Sequence, residues 1–130
     1  MKLEFKMTEG GFTTELEYGK LDISGNEEYG FRPYQLLVSS VAVCSGGILR
    51  KVMEKMRYPF EDITVNAEVE RNEAEANRIE KIELTFYIKT AEWNEQKIEK
   101  AMHLTRKNCS MVQSVQDSIE VVERAKWVQQ

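Results

Sequence analysis

The chain opens on an alternation of apolar and polar positions. Leu3, Phe5 and Met7 are separated by charged residues, and Phe12, Thr14, Leu16 and Tyr18 continue the pattern after Gly10-Gly11. A period of two places successive side chains on opposite faces of an extended backbone. The first twenty-odd residues are therefore predicted to form short antiparallel strands with one wet face, and "EGG" a turn between two of them. A third short strand over residues 21–23 follows Gly19. "SGNEEYGF" is a polar loop that ends at Pro33, whose fixed φ suits the first turn of a helix.

From Pro33 to about Arg57 the pattern is helical. Its first part, "PYQLLVSSVAVCSGGIL" (33–49), holds no charge, and its apolar residues are not confined to one stripe until Arg50, Lys51, Glu54 and Lys55 appear. This half is predicted to be buried all round. Tyr58-Pro59 closes the helix. Ile63, Val65, Ala67 and Val69 then alternate as a strand, "RNEAEANR" connects, and Ile82, Leu84, Phe86 and Ile88 alternate as the hairpin partner. Asn94 and Glu95 open a second helix with Ile98, Ala101, Met102 and Thr105 on one face. Arg106 and Lys107 sit at its end, where the dipole favours cations. Asn108 breaks it and is the expected N-cap of a short helix over residues 109–116. "SIEVVERAKWV" reads as a closing strand.

A length of 130 residues fits one domain, 1–130. Eighteen basic against twenty-two acidic residues, a net charge of −4, give no counterion-release drive toward nucleic acid or anionic lipid, so neither partner is expected. "MKLEFKMTE" has no apolar segment of the kind a signal peptide needs, and the expected location is cytoplasmic. The uncharged stretch is slightly short of a membrane span and includes Gln35, three serines and two glycines, so it is expected to be buried in protein. Trp93 and Trp127 are expected as core or interface anchors.

The two cysteines, Cys44 and Cys109, stand 65 positions apart and form no disulfide framework. In a reducing compartment such a pair is reduced, metal-bound or redox-active. Gly46 and Gly47 each cost a helix interior about 0.8–1 kcal/mol relative to alanine, so a close backbone approach is expected there. With Ser39, Ser40, Ala42 and Ser45 they form a surface without bulk, against which another helix could pack. In that setting Cys44 reads either as a minor hydrophobe or as a site residue. Cys109, at the start of a helix and just after Arg106 and Lys107, has the setting that stabilises a thiolate. On charge alone it is the better candidate for the acidic thiol. His103 falls on a polar helix face. The spacing of Cys44, Cys109 and His103 matches no compact metal motif, so no metal or other cofactor is expected.

"RPYQLLVSSVAVC", with a proline eleven residues before the cysteine, followed much later by "NCSMVQSV", resembles the paired cysteine motifs of the OsmC/Ohr family of osmotically inducible and organic hydroperoxide resistance proteins. The resemblance spans nearly the whole chain. It implies an α+β protomer of OsmC-like fold, half of an intertwined homodimer with antiparallel sheets wrapped around central helices. It also implies a thiol peroxidase that reduces organic hydroperoxides and is recycled by a dithiol reductant. Carried over, Cys44 attacks the peroxide and Cys109 resolves the sulfenic acid as a disulfide.

Two features depart from that pattern. Hydroperoxide-resistance members of the family place an arginine from the N-terminal strands beside the first cysteine and hold it with a glutamate directly after the proline. Here residues 1–31 contain no arginine, and Tyr34 follows Pro33. Arg32 is the nearest substitute, with Glu27 or Glu28 to orient it, and Tyr34 is a further supporting candidate. A thiolate without a guanidinium among apolar groups is disfavoured by desolvation. The departure therefore leaves a second expectation, a divergent member that binds a small hydrophobic ligand or a partner with little peroxide chemistry.

Overall fold

The computed structural model describes residues 1–130. Its elements are β1 (Lys6–Met7), β2 (Phe12–Glu15), β3 (Lys20–Ile23), α1 (Pro33–Lys55), β4 (Asp62–Asn72), β5 (Arg78–Thr90), α2 (Glu95–Asn108), α3 (Ser110–Val115) and β6 (Glu120–Gln129). This is the α+β content that the periodicities predict. The chain divides into two compact units, Met1–Ser39 and Ser40–Gln130, with α1 beginning in the first and running on in the second.

The first unit holds the antiparallel sheet β1-β2-β3. The turn between β1 and β2 depends on glycine. A Cβ on Gly10 would lie 2.0 Å from the Tyr29 ring, and one on Gly11 would lie 2.2 Å from the Ile23 carbonyl oxygen. The Gly11 N–H donates to Thr8 Oγ1 at 3.1 Å, which closes the turn. β1 is shorter than its alternation predicts. Glu4 is held by a side chain instead, its carbonyl accepting from Thr14 Oγ1 at 2.8 Å. Nor is the expected dry face covered, because Met7, Phe12 and Phe31 are all exposed.

The second unit holds the sheet β4-β5-β6. β4 and β5 form the predicted antiparallel hairpin, from Asp62 opposite Lys89 to Asn72 opposite Arg78, with a register shift at Glu70/Arg71. β6 pairs parallel to β5 from Lys81–Glu120 to Thr90–Gln129, which is possible because α2 and α3 form the crossover between the two strands. β5 is central and carries the core: Ile82, Leu84, Phe86 and Ile88 are fully buried. Val41, Leu49 and Met53 of α1, Ile98, Ala101 and Thr105 of α2, and Val112 of α3 complete it. Each such large apolar side chain contributes about 1.5–3 kcal/mol by its removal from water.

The hairpin connection contains a short 3-10 turn, Glu73–Glu75, whose Ala74 N–H is capped by Asn72 Oδ1 at 3.0 Å. Ala76 and Asn77 follow with φ of 58° and 57°, a left-handed conformation that costs an alanine more than an asparagine. Ala76→Gly should therefore stabilise the fold by about 1 kcal/mol, read as a raised urea midpoint at unchanged slope.

Three expectations need correction. The uncharged half of α1 is not buried all round, since Val43 is 71 % exposed and Leu37 is also exposed. The helix is wider in apolar coverage than the chain's own core can enclose. Second, the close approach at Gly46 is made by a strand, because a Cβ there would lie 2.9 Å from Val65 Cγ2 of β4, whereas Gly47 faces open space. Third, Asn108 does not cap α3. It ends α2, with Nδ2 donating to the Leu104 carbonyl at 2.8 Å, and Cys109 occupies the N-cap position with no side-chain capping bond. By length and composition alone α1 could cross a membrane. Its buried Val41, Leu49 and Met53, and the hydrogen bond from Ser45 to a β6 carboxylate, are those of a core helix.

Candidate functional site

The crossover that makes β6 parallel to β5 also brings the junction of α2 and α3 onto α1. Cys109, at that junction, is fully buried, and Cys44 of α1 is half-buried. Both thiols are free, and each acts on the ionisation of the other. The structure thus joins two residues 65 positions apart. Cys44 Sγ lies 3.8 Å from Ser110 Oγ, and the backbone N–H groups of Met111 and Ser110 favour its charged form.

These contacts reverse the order of acidity read from the sequence. Burial pushes Cys44 up, but the Met111 N–H, the Cys109 thiol, and the Ser110 hydroxyl and N–H together outweigh it and hold its pKa below the ordinary thiol value. Burial also pushes Cys109 up. The Val112 and Met111 N–H groups oppose that, but the hydrogen bond and the charge of Cys44 raise it further, and its pKa ends above the ordinary value. The start of α3 does favour the charged form of a thiol, as its position suggested, but the thiol it favours is on α1. Of two adjacent thiols, the more exposed sulfur gives up its proton first, and its charge then holds the second proton on the other. The sign of the pH effect follows. Alkylation by iodoacetamide should begin at Cys44 below the pH at which an ordinary cysteine ionises, and reach Cys109 only at higher pH. Peptide mass mapping across a pH series checks the order.

Arg32 and Tyr34 lie in the first unit. Arg32 Nη2 is 3.9 Å from Glu27 Oε2, its Nε donates to Gln35 Oε1 at 3.4 Å, and its guanidinium stacks on the Tyr34 ring at 5.1 Å. Of the two glutamates considered as its partner, Glu27 makes the ion pair. The principal groups acting on Cys44 are neutral N–H, O–H and S–H donors, with no guanidinium among them.

The sequence reading missed a buried carboxylate. Glu123 of β6, with its side chain only 6 % exposed, accepts from Arg106 Nη1 at 2.8 Å and from Ser45 Oγ at 3.0 Å. Arg106 also donates to the Val121 carbonyl at 2.8 Å. Arg106, read as a helix-end cation, is thus committed to a specific partner. A signal was present, because Glu123 occupies the same strand face as the buried Val121 and interrupts its apolar run. Ser110 was overlooked for a simpler reason: it gains significance only through α1.

His103 is exposed on α2. Trp93 and Trp127 stack with centroids 6.1 Å apart and planes at 17°, and Trp127 Nε1 donates to the Thr90 carbonyl at 3.0 Å. They anchor the end of the sheet and border an open cavity of about 760 Å3 that includes Arg57 and Lys97.

A family model described as OsmC-like protein matches residues 24–124. Comparison with curated proteins finds no match. Among solved structures, a hypothetical protein from Aquifex aeolicus VF5 is 22 % identical with a TM-score of 0.86, over 99 % of this chain and 96 % of that one. An OsmC-like protein from Mycoplasma pneumoniae is 15 % identical with a TM-score of 0.84, over 98 % and 96 %. An organic hydroperoxide resistance protein from Elizabethkingia anophelis is 14 % identical with a TM-score of 0.77, over 98 % and 97 %. At these identities the likeness is one of fold.

Proposed function

Since this chain belongs to the OsmC-like protein family, we propose that it is a thiol-dependent peroxidase that reduces organic hydroperoxides in defence against oxidative stress. The observation that carries this reading is the placement of the two free thiols together, Cys44 Sγ lying 3.8 Å from Ser110 Oγ of the residue after Cys109, with the acidified thiol on the more exposed residue. The Cys44 thiolate attacks the terminal oxygen of the hydroperoxide, the O–O bond breaks, and one added proton completes the alcohol and the Cys44 sulfenic acid. Cys109 sulfur then displaces the hydroxyl, which leaves as water with the Cys109 proton, and the S–S bond forms. A dithiol reductant from the cytoplasm takes up that disulfide by exchange and leaves as its own disulfide. The net reaction converts a hydroperoxide and a dithiol into an alcohol, water and a disulfide. The donors around Cys44 do part of the work that an arginine does elsewhere in the family, since each hydrogen bond to the charged form favours it.

The two units act together as one OsmC-like domain, and the working species is a homodimer with the sites at the subunit interface. Support for the dimer comes from apolar surface that the single chain leaves open: Met7 is 81 % exposed, Phe31 60 % and Val43 71 %. Titrating thiols before and after measured additions of cumene hydroperoxide tests the cycle. Each equivalent of peroxide should remove two thiols per chain and yield a linked Cys44–Cys109 peptide. Two thiols that persist after treatment would favour the ligand-binding alternative.

A further inference from the structure

Glu123 touches neither sulfur, yet it is bonded beside both. Through Ser45 Oγ, at 3.0 Å, it holds the residue next to Cys44 on α1. Through Arg106 Nη1, at 2.8 Å, it holds the last turn of α2, three residues before Cys109. Gln113 Nε2 donates to the Arg106 carbonyl at 3.0 Å, which fastens α3 to the same turn. β6 is itself fixed by its parallel ladder to β5. The carboxylate is therefore a rigid post from which the two cysteine-bearing segments are hung. Its burial makes the arrangement selective, because a carboxylate with 6 % of its side chain exposed has little water to accept in place of Ser45 and Arg106.

We propose that Glu123 is a positioning residue for disulfide closure, setting the approach of Cys109 to Cys44 through its bonds to Arg106 and Ser45. The inference rests on the peroxidase reading for its place in the cycle, but not for its geometry. In the step concerned, the Cys109 sulfur displaces the hydroxyl of the Cys44 sulfenic acid. The S–O bond breaks, the S–S bond forms, Cys109 is oxidised, the sulfenic sulfur is reduced, and the Cys109 proton leaves with the hydroxyl as water. That step needs a defined sulfur-to-sulfur trajectory. Attack of Cys44 on a small peroxide diffusing in from solvent draws on the donors of α3 but not on the line between the two sulfurs, so it is the less sensitive of the two steps to their alignment. Both partners of Glu123 are donors, and Glu123→Gln offers one acceptor oxygen in place of two while removing the charge. Glu123→Asp keeps the charge and both acceptors on a stem one methylene shorter.

The experiment uses the full chain with two separate readouts. In the first, the Cys44–Cys109 disulfide is equilibrated against reduced and oxidised dithiothreitol and the linked fraction is measured by alkylation and mass. E123Q should lower the equilibrium constant for closure about tenfold or more, as expected when intramolecular groups lose alignment, with E123D between it and wild type. In the second, rapid mixing with cumene hydroperoxide follows peroxide loss and disulfide formation separately. E123Q should slow closure by a clearly larger factor than it slows peroxide loss, which falls only as far as the α3 donors loosen on Cys44, so that sulfenic acid accumulates and is trapped by a 1,3-dione. A merely structural defect would depress both steps together. Ser45→Ala, which leaves the ion pair intact, should slow closure less than E123Q and serves as the second variant if E123Q does not fold. Closure at wild-type strength and rate in the variants, or equal slowing of both steps, overturns the proposal. A wild-type protein that closes its disulfide in dithiothreitol but ignores peroxide defeats the peroxidase reading alone, and the equilibrium arm still decides the role of Glu123.

Discussion

Cys44→Ser should abolish hydroperoxide turnover, by at least about a thousandfold in kcat/KM, because a serine hydroxyl in the same donor environment is not ionised at neutral pH and the remaining thiol, Cys109, is fully buried with its pKa held above the ordinary value. Cys109→Ser should behave differently. It removes the buried partner but leaves the Met111 and Ser110 donors on Cys44. The variant should consume one equivalent of peroxide per chain and stop, with Cys44 held as sulfenic acid and open to further oxidation. Peroxide consumption in single and multiple turnovers, read beside intact mass, separates the two variants. Equal residual turnover in both would remove the assignment of roles. The Cys109→Ser variant also tests the electrostatics, because the thiol that donates to the Cys44 thiolate is replaced by a hydroxyl that can donate in its place.

Phe86→Ala should cost about 3–5 kcal/mol of stability, a large part of the roughly 5–15 kcal/mol that holds a typical domain. Phe86 is the largest of the fully buried side chains, and it sits on the central strand, between Ala125 of β6 and Val65 of β4 in the two registers. Truncation there leaves a void that strands paired on both sides cannot close by moving. Urea unfolding should show the loss as a lowered midpoint with little change in slope. Tyr18, fully exposed in the first unit, is the control, and Tyr18→Ala should change stability by no more than about 0.5 kcal/mol. A Phe86 variant with a wild-type midpoint would mean that the core of the second unit is not organised around β5.

What the sequence could disclose followed from where each signal resides. The β4–β5 hairpin was legible because Ile82, Leu84, Phe86 and Ile88 alternate strictly and lie on a strand with one buried face. The capped start of α2 was legible because Asn94 Oδ1 accepts from the Lys97 N–H, a contact made three residues along the chain. Acidity was misread for the opposite reason. The N–H groups at the start of α3 were placed correctly, but the sulfur that profits most comes from α1, and no local pattern specifies that crossing. Glu123 was hidden in the same way, since its partners Ser45 and Arg106 belong to two other elements. The exposed face of α1 adds a further lesson. Apolar residues on all sides of a helix state that water is to be excluded, without stating that the same chain excludes it.

The parallel pairing of β6 has a consequence for the order of assembly. Strand 120–129 pairs with β5 only across the crossover of α2 and α3, and the contact beside the thiols joins residues 44 and 110, so both are distant along the chain and belong to the slow class of contacts. A nascent or partly melted molecule thus carries two ordinary, separated thiols. The acidity of Cys44 emerges only once the start of α3 is seated against α1, which makes nucleophilicity at that one atom a sensor of whether that long-range contact has been made.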